Sequence, residues 1–185
     1  MTIGEFLSPQ RAVLAARIQE GMSVADFGAG AGFFARAAAR AAGPSGVVWA
    51  VDAHREGLAR VRSLAAAEQL FNIEVSAGNI EERGGSQLPD ENIDLVIAAN
   101  ILFSAQDKRA VVEEIWRVLK PRGKVLVIDW QGSFGGLGPQ PEHLVTKEQA
   151  LTLFEKGGFE RITAPEGAVQ TGQYHWGIMF RKQVR

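Results

Sequence analysis

Apolar residues recur along this chain in two periods, and the switching between them divides most of its length into strand–helix units. Val24–Phe27, Val47–Asp52, Asn72–Ala77, Ile93–Ala99 and Lys124–Asp129 are short runs rich in Val, Ile, Leu and Ala, bounded by turn residues, as buried strands are. Between them the apolar positions return every three or four residues. An alanine-rich helix is predicted from Ala31 to Ala42, and another from Arg55 to Leu70 with Leu58, Val61, Leu64 and Ala65 on one face. A third runs to Leu119 through Val111, Val112, Ile115 and Val118, opened by Ser104 with Asp107 three residues on and stopped by Pro121 and Gly123. Thr146 with Gln149 caps a further helix to Lys156, ended by Gly157-Gly158. At the N-terminus, Ser8-Pro9 starts a helix to Glu20 that buries Val13, Leu14 and Ile18, with Phe6 and Leu7 stapling its entry and Gly21 ending it. Gly84–Glu91 reads as a polar surface loop, and residues 131–145 as the longest irregular stretch. The runs Phe159–Ala164 and Tyr174–Lys182 read as a closing antiparallel pair of strands.

This order predicts an α/β fold: a doubly wound, Rossmann-like sandwich in one domain spanning residues 1–185. Its sheet is seven-stranded and mostly parallel, with a C-terminal antiparallel hairpin. Right-handed crossovers put helices on both faces and leave a ligand crevice at the carboxyl ends of the parallel strands. Gly28, Asp52, Asn79 and Asn100 all fall at such ends.

Composition narrows the function classes. At 46% hydrophobic and 22% charged, the 185 residues are those of a soluble globular protein. The net charge of −1, with both signs interspersed, provides no basic field for nucleic acid. The lack of cysteine excludes disulfides, thiolate metal sites and a thiol nucleophile. No targeting segment and no bilayer-spanning apolar run is visible, which makes the cytoplasm the expected location.

The richest local chemistry lies in Val24-Ala25-Asp26-Phe27-Gly28-Ala29-Gly30-Ala31-Gly32. A strand feeding a helix through glycines aims backbone N–H groups and a helix N-terminus at one spot, and bare backbone lets a ligand approach closely. Asp26 adds a carboxylate beside that anion-favouring surface, so a ligand bearing both a carboxylate and an ammonium satisfies both features. The spacing is Gly28-x-Gly30-x-Gly32, with Phe33 where the third glycine of a dinucleotide fingerprint would stand. Asp52 follows Gly32 by 20 residues, a distance suited to an acid on ribose hydroxyls in either kind of cofactor.

With Ala77-Gly78-Asn79-Ile80, Asn92–Asn100 and Leu119-Lys120-Pro121-Arg122-Gly123 following in order, the chain resembles the class I S-adenosylmethionine-dependent methyltransferases. Within them it is similar to the type 11 group that includes ubiquinone and menaquinone biosynthesis methyltransferases. The resemblance implies S-adenosylmethionine as cofactor, with Gly28, Ala29, Gly30 and Gly32 against its methionine end. Asp26 would position its amino group and Asp52 its ribose, while Ala53 and Ile80 border the adenine. Asn79 stands where the family often has aspartate; its amide still pairs with an adenine amino group. Asn100 would lie near the ammonium. The resemblance also implies an N-terminal lid over residues 1–21 and a substrate loop over 131–145. It ties arsenite methylation to cysteine thiolates, which this chain lacks.

For the acceptor, a small molecule with no metal involved, Phe103, Trp130, Phe134 and Leu137 supply apolar surface. Asp129 faces the same crevice, and His143 is the candidate general base. His54 reads as a helix-start residue and His175 as structural. Asn100-Ile101-Leu102-Phe103 occupies the place of the N-P-P-[YF] box of nucleic-acid amino-methyltransferases, but both prolines are missing. Two alternatives remain open. An NAD(P)-dependent oxidoreductase would share the sheet and the ribose acid, although Tyr174 has Ile178 rather than lysine four residues on. A module that binds S-adenosylmethionine without turnover is the other.

Overall fold

In the computed structural model, which describes residues 7–163 and 166–184, the strand–helix units close into a seven-stranded sheet of order β3-β2-β1-β4-β5-β7-β6. The strands are β1 (Ser23–Phe27), β2 (Val47–Asp52), β3 (Ile73–Ala77), β4 (Ile93–Ala99), β5 (Leu119–Trp130), β6 (Phe159–Ile162) and β7 (His175–Lys182). β1 to β5 pair in parallel, and β7 inserts antiparallel between β5 and β6. The chain reverses between β1 and β4, the switch point at which open α/β sheets form their crevice.

Helices α1 (Pro9–Ala16), α2 (Phe33–Ala42) and α3 (Arg55–Ala67) cover one face, and α4 (Lys108–Val118) and α5 (Lys147–Lys156) the other. Successive strand residues serve opposite cores. Ala25, Phe27, Val96, Val125 and Val127 pack under α4 and α5, whereas Val24, Ile97, Leu126 and Ile128 pack under α1 and α2. α2 buries only alanines (Ala35, Ala37, Ala38, Ala39 and Ala42), so it can lie close to the sheet beside the glycine loop. On the opposite face Phe154 stacks on Phe180 at 4.7 Å, both fully buried. Each such ring contributes about 2–3 kcal/mol by leaving water.

Several boundaries differ from those the sequence predicts. α1 stops at Ala16 because Arg17 turns left-handed (φ 54°) and returns its N–H to Leu14 O, so the helix does not reach Glu20 and Leu14 is 76% exposed. The stapling role expected of Phe6 lies outside the described residues, as does Ala164 at the end of the predicted sixth strand. α3 ends at Ala67, three residues short of Leu70. α4 opens at Asp107, whose carboxylate accepts from the N–H groups of Arg109 and Ala110, while the Ser104 hydroxyl donates to Ile101 O instead. β5 begins at Leu119, running through Pro121 and Gly123 with a register shift opposite Ile93 and Leu95. The capping box of Thr146 and Gln149 is present as expected.

The loop before β4 is less superficial than its polarity suggests. Ser86 and Leu88 are buried, held by the fully buried Glu114 of α4. Glu114 accepts from the N–H groups of Gly84 (2.8 Å) and Ser86 (3.0 Å) and pairs with Arg117, which reaches on to Asp90. Residues 131–145 are not wholly irregular. Gly135 and Gly136, at φ 54° and 94°, form a two-residue turn closed by paired backbone bonds between Phe134 and Leu137, and Pro141–His143 is a turn of 3-10 helix. Among the described residues no helix is long and apolar enough to cross a membrane.

Candidate functional site

The carboxyl ends of β1, β2 and β4 bring the glycine loop and two acids together. The three glycines do different work. A Cβ on Gly28 would lie 2.4 Å from an Ile101 methyl, and one on Gly32 2.8 Å from Val61, so these two are packing positions. Gly30 has nothing within 4 Å on its Cβ side and is the one that offers a ligand bare backbone.

The loop amides are largely spoken for, which corrects the expectation of an open anion cradle. Gly28 and Ala29 donate to Val51 O at 2.8 and 3.1 Å, Gly32 to Ala29 O at 2.7 Å, and Gly30 to the Asp52 carboxylate at 2.8 Å. α2 has Gly32 at its N-cap and therefore no capping side chain of its own; Asp26 fills that role from β1 by accepting from Ala35 N at 2.8 Å. Among the described residues, the first-turn amides of Phe33 and Phe34 are the donors at this end of α2 that carry no such bond.

Asp26 and Asp52 thus hold the two ends of the loop, Asp52 at the Gly30 amide and Asp26 at the first turn of α2. Asp26 is 2% exposed, and desolvation pushes its carboxyl up to about 7, opposed by the Ala35 N–H and reinforced by the charge of Asp52. Asp52 also accepts from His54 N at 2.8 Å, with His54 Nδ1 3.1 Å away and its ring in solvent. Ala53 is exposed beside it. Asn79 makes an Asx turn, accepting from Glu81 N at 3.0 Å and donating to Glu82 at 2.9 Å, and half-buried Ile80 packs on the core under α4. Asn100, directly after β4, sits in the left-handed region (φ 58°), its N–H bonded to Ile128 O at 2.8 Å. Its Oδ1 is buried with no partner among the described residues.

The residues expected to line an acceptor pocket are divided between the two faces of the sheet. Phe103 and His143 border one cavity of about 790 Å³ with Lys108, Val145 and Leu153, on the α4–α5 side. His143 is exposed there. Trp130 lies on the other face, packed at 4.3 Å and tilted by 37° against His175, its register partner in β7; Phe134 packs edge-on to Tyr174 at 4.9 Å. Asp129 is a structural anchor. It is buried and clamps the loop after β4 by accepting from Leu102 N (2.9 Å), Phe103 N (3.2 Å) and Trp130 N (2.8 Å), while desolvation pushes its carboxyl up to about 6.

Glu114 escaped the sequence reading although its signal is there: it stands between Val111, Ile115 and Val118 on the apolar side of α4, where an acid must be paired. Through Gly84 and Ser86 it fixes the loop that begins with Asn79 and Ile80. Among the described residues no cluster of three or more His, Asp or Glu could hold a metal ion.

A family model described as a methyltransferase domain matches residues 18–180. An arsenite methyltransferase of Halobacterium salinarum is 34% identical over 114 residues, 62% of this chain and 28% of that protein. A ubiquinone/menaquinone biosynthesis C-methyltransferase of Bordetella avium is 33% identical over 124 residues, 67% of this chain and 47% of that protein. The chain therefore spans less than half the length of either curated relative. Among solved structures, an S-adenosylmethionine-dependent methyltransferase from Aquifex aeolicus superposes with a TM-score of 0.84 at 26% identity, covering 96% of this chain and 90% of that one.

Proposed function

We propose that this chain, which belongs to the class I S-adenosylmethionine-dependent methyltransferases of the type 11 group, methylates a small-molecule acceptor. When bound, the cofactor supplies an electrophilic methyl group on a sulfonium, open to direct in-line displacement. The observation that carries this reading is the charge of the crevice. Gly30 exposes bare backbone in a loop that follows buried Asp26 and is held at its amide by Asp52, while the amides of Gly28, Ala29 and Gly32 are already bonded. A pyrophosphate would meet two acids and few donors there; an ammonium and a pair of ribose hydroxyls meet acceptors. This weighs against an NAD(P)-dependent oxidoreductase.

In this reading Asp26 and the orphaned Asn100 carbonyl hold the ammonium, and the first-turn amides of α2 receive the carboxylate. Asp52 trades its bond to Gly30 N for ribose hydroxyls. Asn79 and Ile80, with Ala53, border the adenine. The loop 131–145 and residues 7–21, the described part of the N-terminal segment, cover the crevice and exclude water. The chain's own contribution to rate is orientation and an electrostatically matched, dry site. His143 remains the candidate base if the acceptor binds in the α4–α5 cavity. The net charge of −1 and the lack of cysteine favour a small organic acceptor in the cytoplasm over nucleic acid or arsenite.

Titration calorimetry with S-adenosylhomocysteine and NAD tests the reading. S-adenosylhomocysteine should bind and NAD should not, with Asp52→Asn weakening the former at least tenfold. Binding of NAD in preference would overturn it.

A further inference from the structure

His175 is the most anomalous polar group in the protein. It is 5% exposed at the start of β7, and among the described residues neither ring nitrogen has a hydrogen-bond partner. Its backbone is fully engaged: the carbonyl accepts from the buried Thr171 hydroxyl at 2.7 Å and the residue pairs in register with Trp130. Only the imidazole is left over. An unpaired buried polar atom is a net cost to folding, and an apolar side chain of similar size would avoid it twice.

Position gives the orphan a use. β5 separates β7 from β4, so His175 stands at the crevice rim two strand spacings from the end of β4, about 10 Å. One aromatic ring with a polar substituent spans that gap. The surroundings suit such a ring: the Trp130 indole packs at 4.3 Å, tilted by 37°, and Phe134 and Tyr174 meet edge to face at 4.9 Å. The Gly135-Gly136 turn follows Phe134 and is closed by its backbone pair with Leu137. Gly138 fits against Trp130 because a Cβ there would come within 2.9 Å of the indole, whereas Gly135 and Gly136 face open space. This glycine turn is tied to the aromatic wall at both ends, by Phe134 on Tyr174 and by Gly138 against the indole.

We propose that His175, beside Trp130 at the crevice end of β7, forms the seat of the methyl acceptor, its neutral imidazole accepting a hydrogen bond from a hydroxyl on a planar ring. The assignment rests on the methyltransferase reading above and commits the acceptor to the α1–α2 side of the sheet, away from His143. Burial holds His175 near 4, so at neutral pH one ring nitrogen keeps its lone pair for that bond.

The test uses the whole chain saturated with S-adenosylhomocysteine and two probes of nearly equal shape, 4-methylphenol and 1,4-dimethylbenzene. By ¹H–¹⁵N NMR of the imidazoles, 4-methylphenol should move the His175 ring nitrogens and leave those of His54 and His143 in place. It should also bind about tenfold more tightly than the hydrocarbon, whereas a merely apolar site would favour the hydrocarbon. In His175→Leu that preference should vanish while the melting temperature does not fall, since a structural histidine would be missed and an orphaned one would not. Unmoved His175 resonances, no binding of either probe at millimolar concentration, or a preference that survives in His175→Leu would each overturn the assignment. The wild-type spectra decide it even if the variant folds poorly. Failure of S-adenosylhomocysteine itself to bind would instead overturn the cofactor reading, and this one with it.

Discussion

Cofactor binding should expel a proton from Asp26. In the free protein its carboxyl lies near 7, raised from 3.8 mainly by burial. It is therefore about half protonated at pH 7. An ammonium placed beside it favours the ionised form and should lower the value by one to three units, to about 5. The release then amounts to about 0.8 proton at pH 6, about 0.5 at pH 7 and about 0.1 at pH 8. Calorimetry reads this directly: the enthalpy of S-adenosylhomocysteine binding, measured in buffers of different ionisation enthalpy, has a slope equal to the protons released. Asp26→Asn keeps an oxygen for Ala35 N and removes the titration, so the difference between the two proteins isolates this one group. The same shift has a stability counterpart. Because the folded value is raised, the protein binds more protons than the unfolded chain between pH 4 and 7, and the associated stability is lost as pH rises through that window. The full shift corresponds to about 4 kcal/mol. A buffer-independent enthalpy in the wild type, or an equal proton count in Asp26→Asn, would refute the placement of an ammonium at this carboxylate.

Gly30→Ala adds a methyl where the protein has open space, at φ 52°. It should cost about 1–2 kcal/mol of stability by urea unfolding yet weaken S-adenosylhomocysteine at least tenfold; unchanged affinity would show that Gly30 faces no ligand. Glu114→Ala leaves Arg117 and the Gly84 and Ser86 amides without their partner and should destabilise by about 3 kcal/mol or more. Burial alone would raise the Glu114 carboxyl, but the bonds from Arg117, the Ser86 hydroxyl and the Gly84 and Ser86 amides together hold it at about 2. Its stabilisation is thus present above pH 4.5 and lost as pH falls towards 2, so urea unfolding should show that acid limb in the wild type and a flatter one in the variant. His143→Ala should leave 4-methylphenol binding within twofold of wild type; a larger loss would move the acceptor to the α4–α5 cavity.

The parts of the fold set by short-range pattern are the parts that could be read from the chain. Apolar runs bounded by glycine and proline placed all seven strands, and the period of Leu58, Val61 and Ala65 placed the face of α3. Misplaced boundaries trace to competition that pattern does not encode. Ser104 and Asp107 are both good caps, and Asp107 wins because the Ser104 hydroxyl turns back to Ile101 O. Arg17 ends α1 in a conformation usually left to glycine. The buried status of Ser86 follows from Glu114, 28 residues away, and no local window contains both.

The glycine loop marks the same divide within the site. Its three glycines look alike in sequence, yet Val61 and Ile101 claim two of them and only Gly30 is open. Its amides read as an anion cradle until the Val51 carbonyl and the Asp52 carboxylate are seen to occupy them. Asp26 and the glycines are then parts of one device rather than two neighbouring motifs. A helix that starts on glycine because Val61 leaves no room for a side chain has no cap of its own, and the cap must come from elsewhere. Asp26 supplies it from the adjoining strand, and burial in that role is what raises its affinity for a proton. The group that completes α2 is thereby held ready to exchange a proton for a cation. An acid at this strand end is thus demanded by the fold before any ligand arrives, and the ligand's charge follows from it.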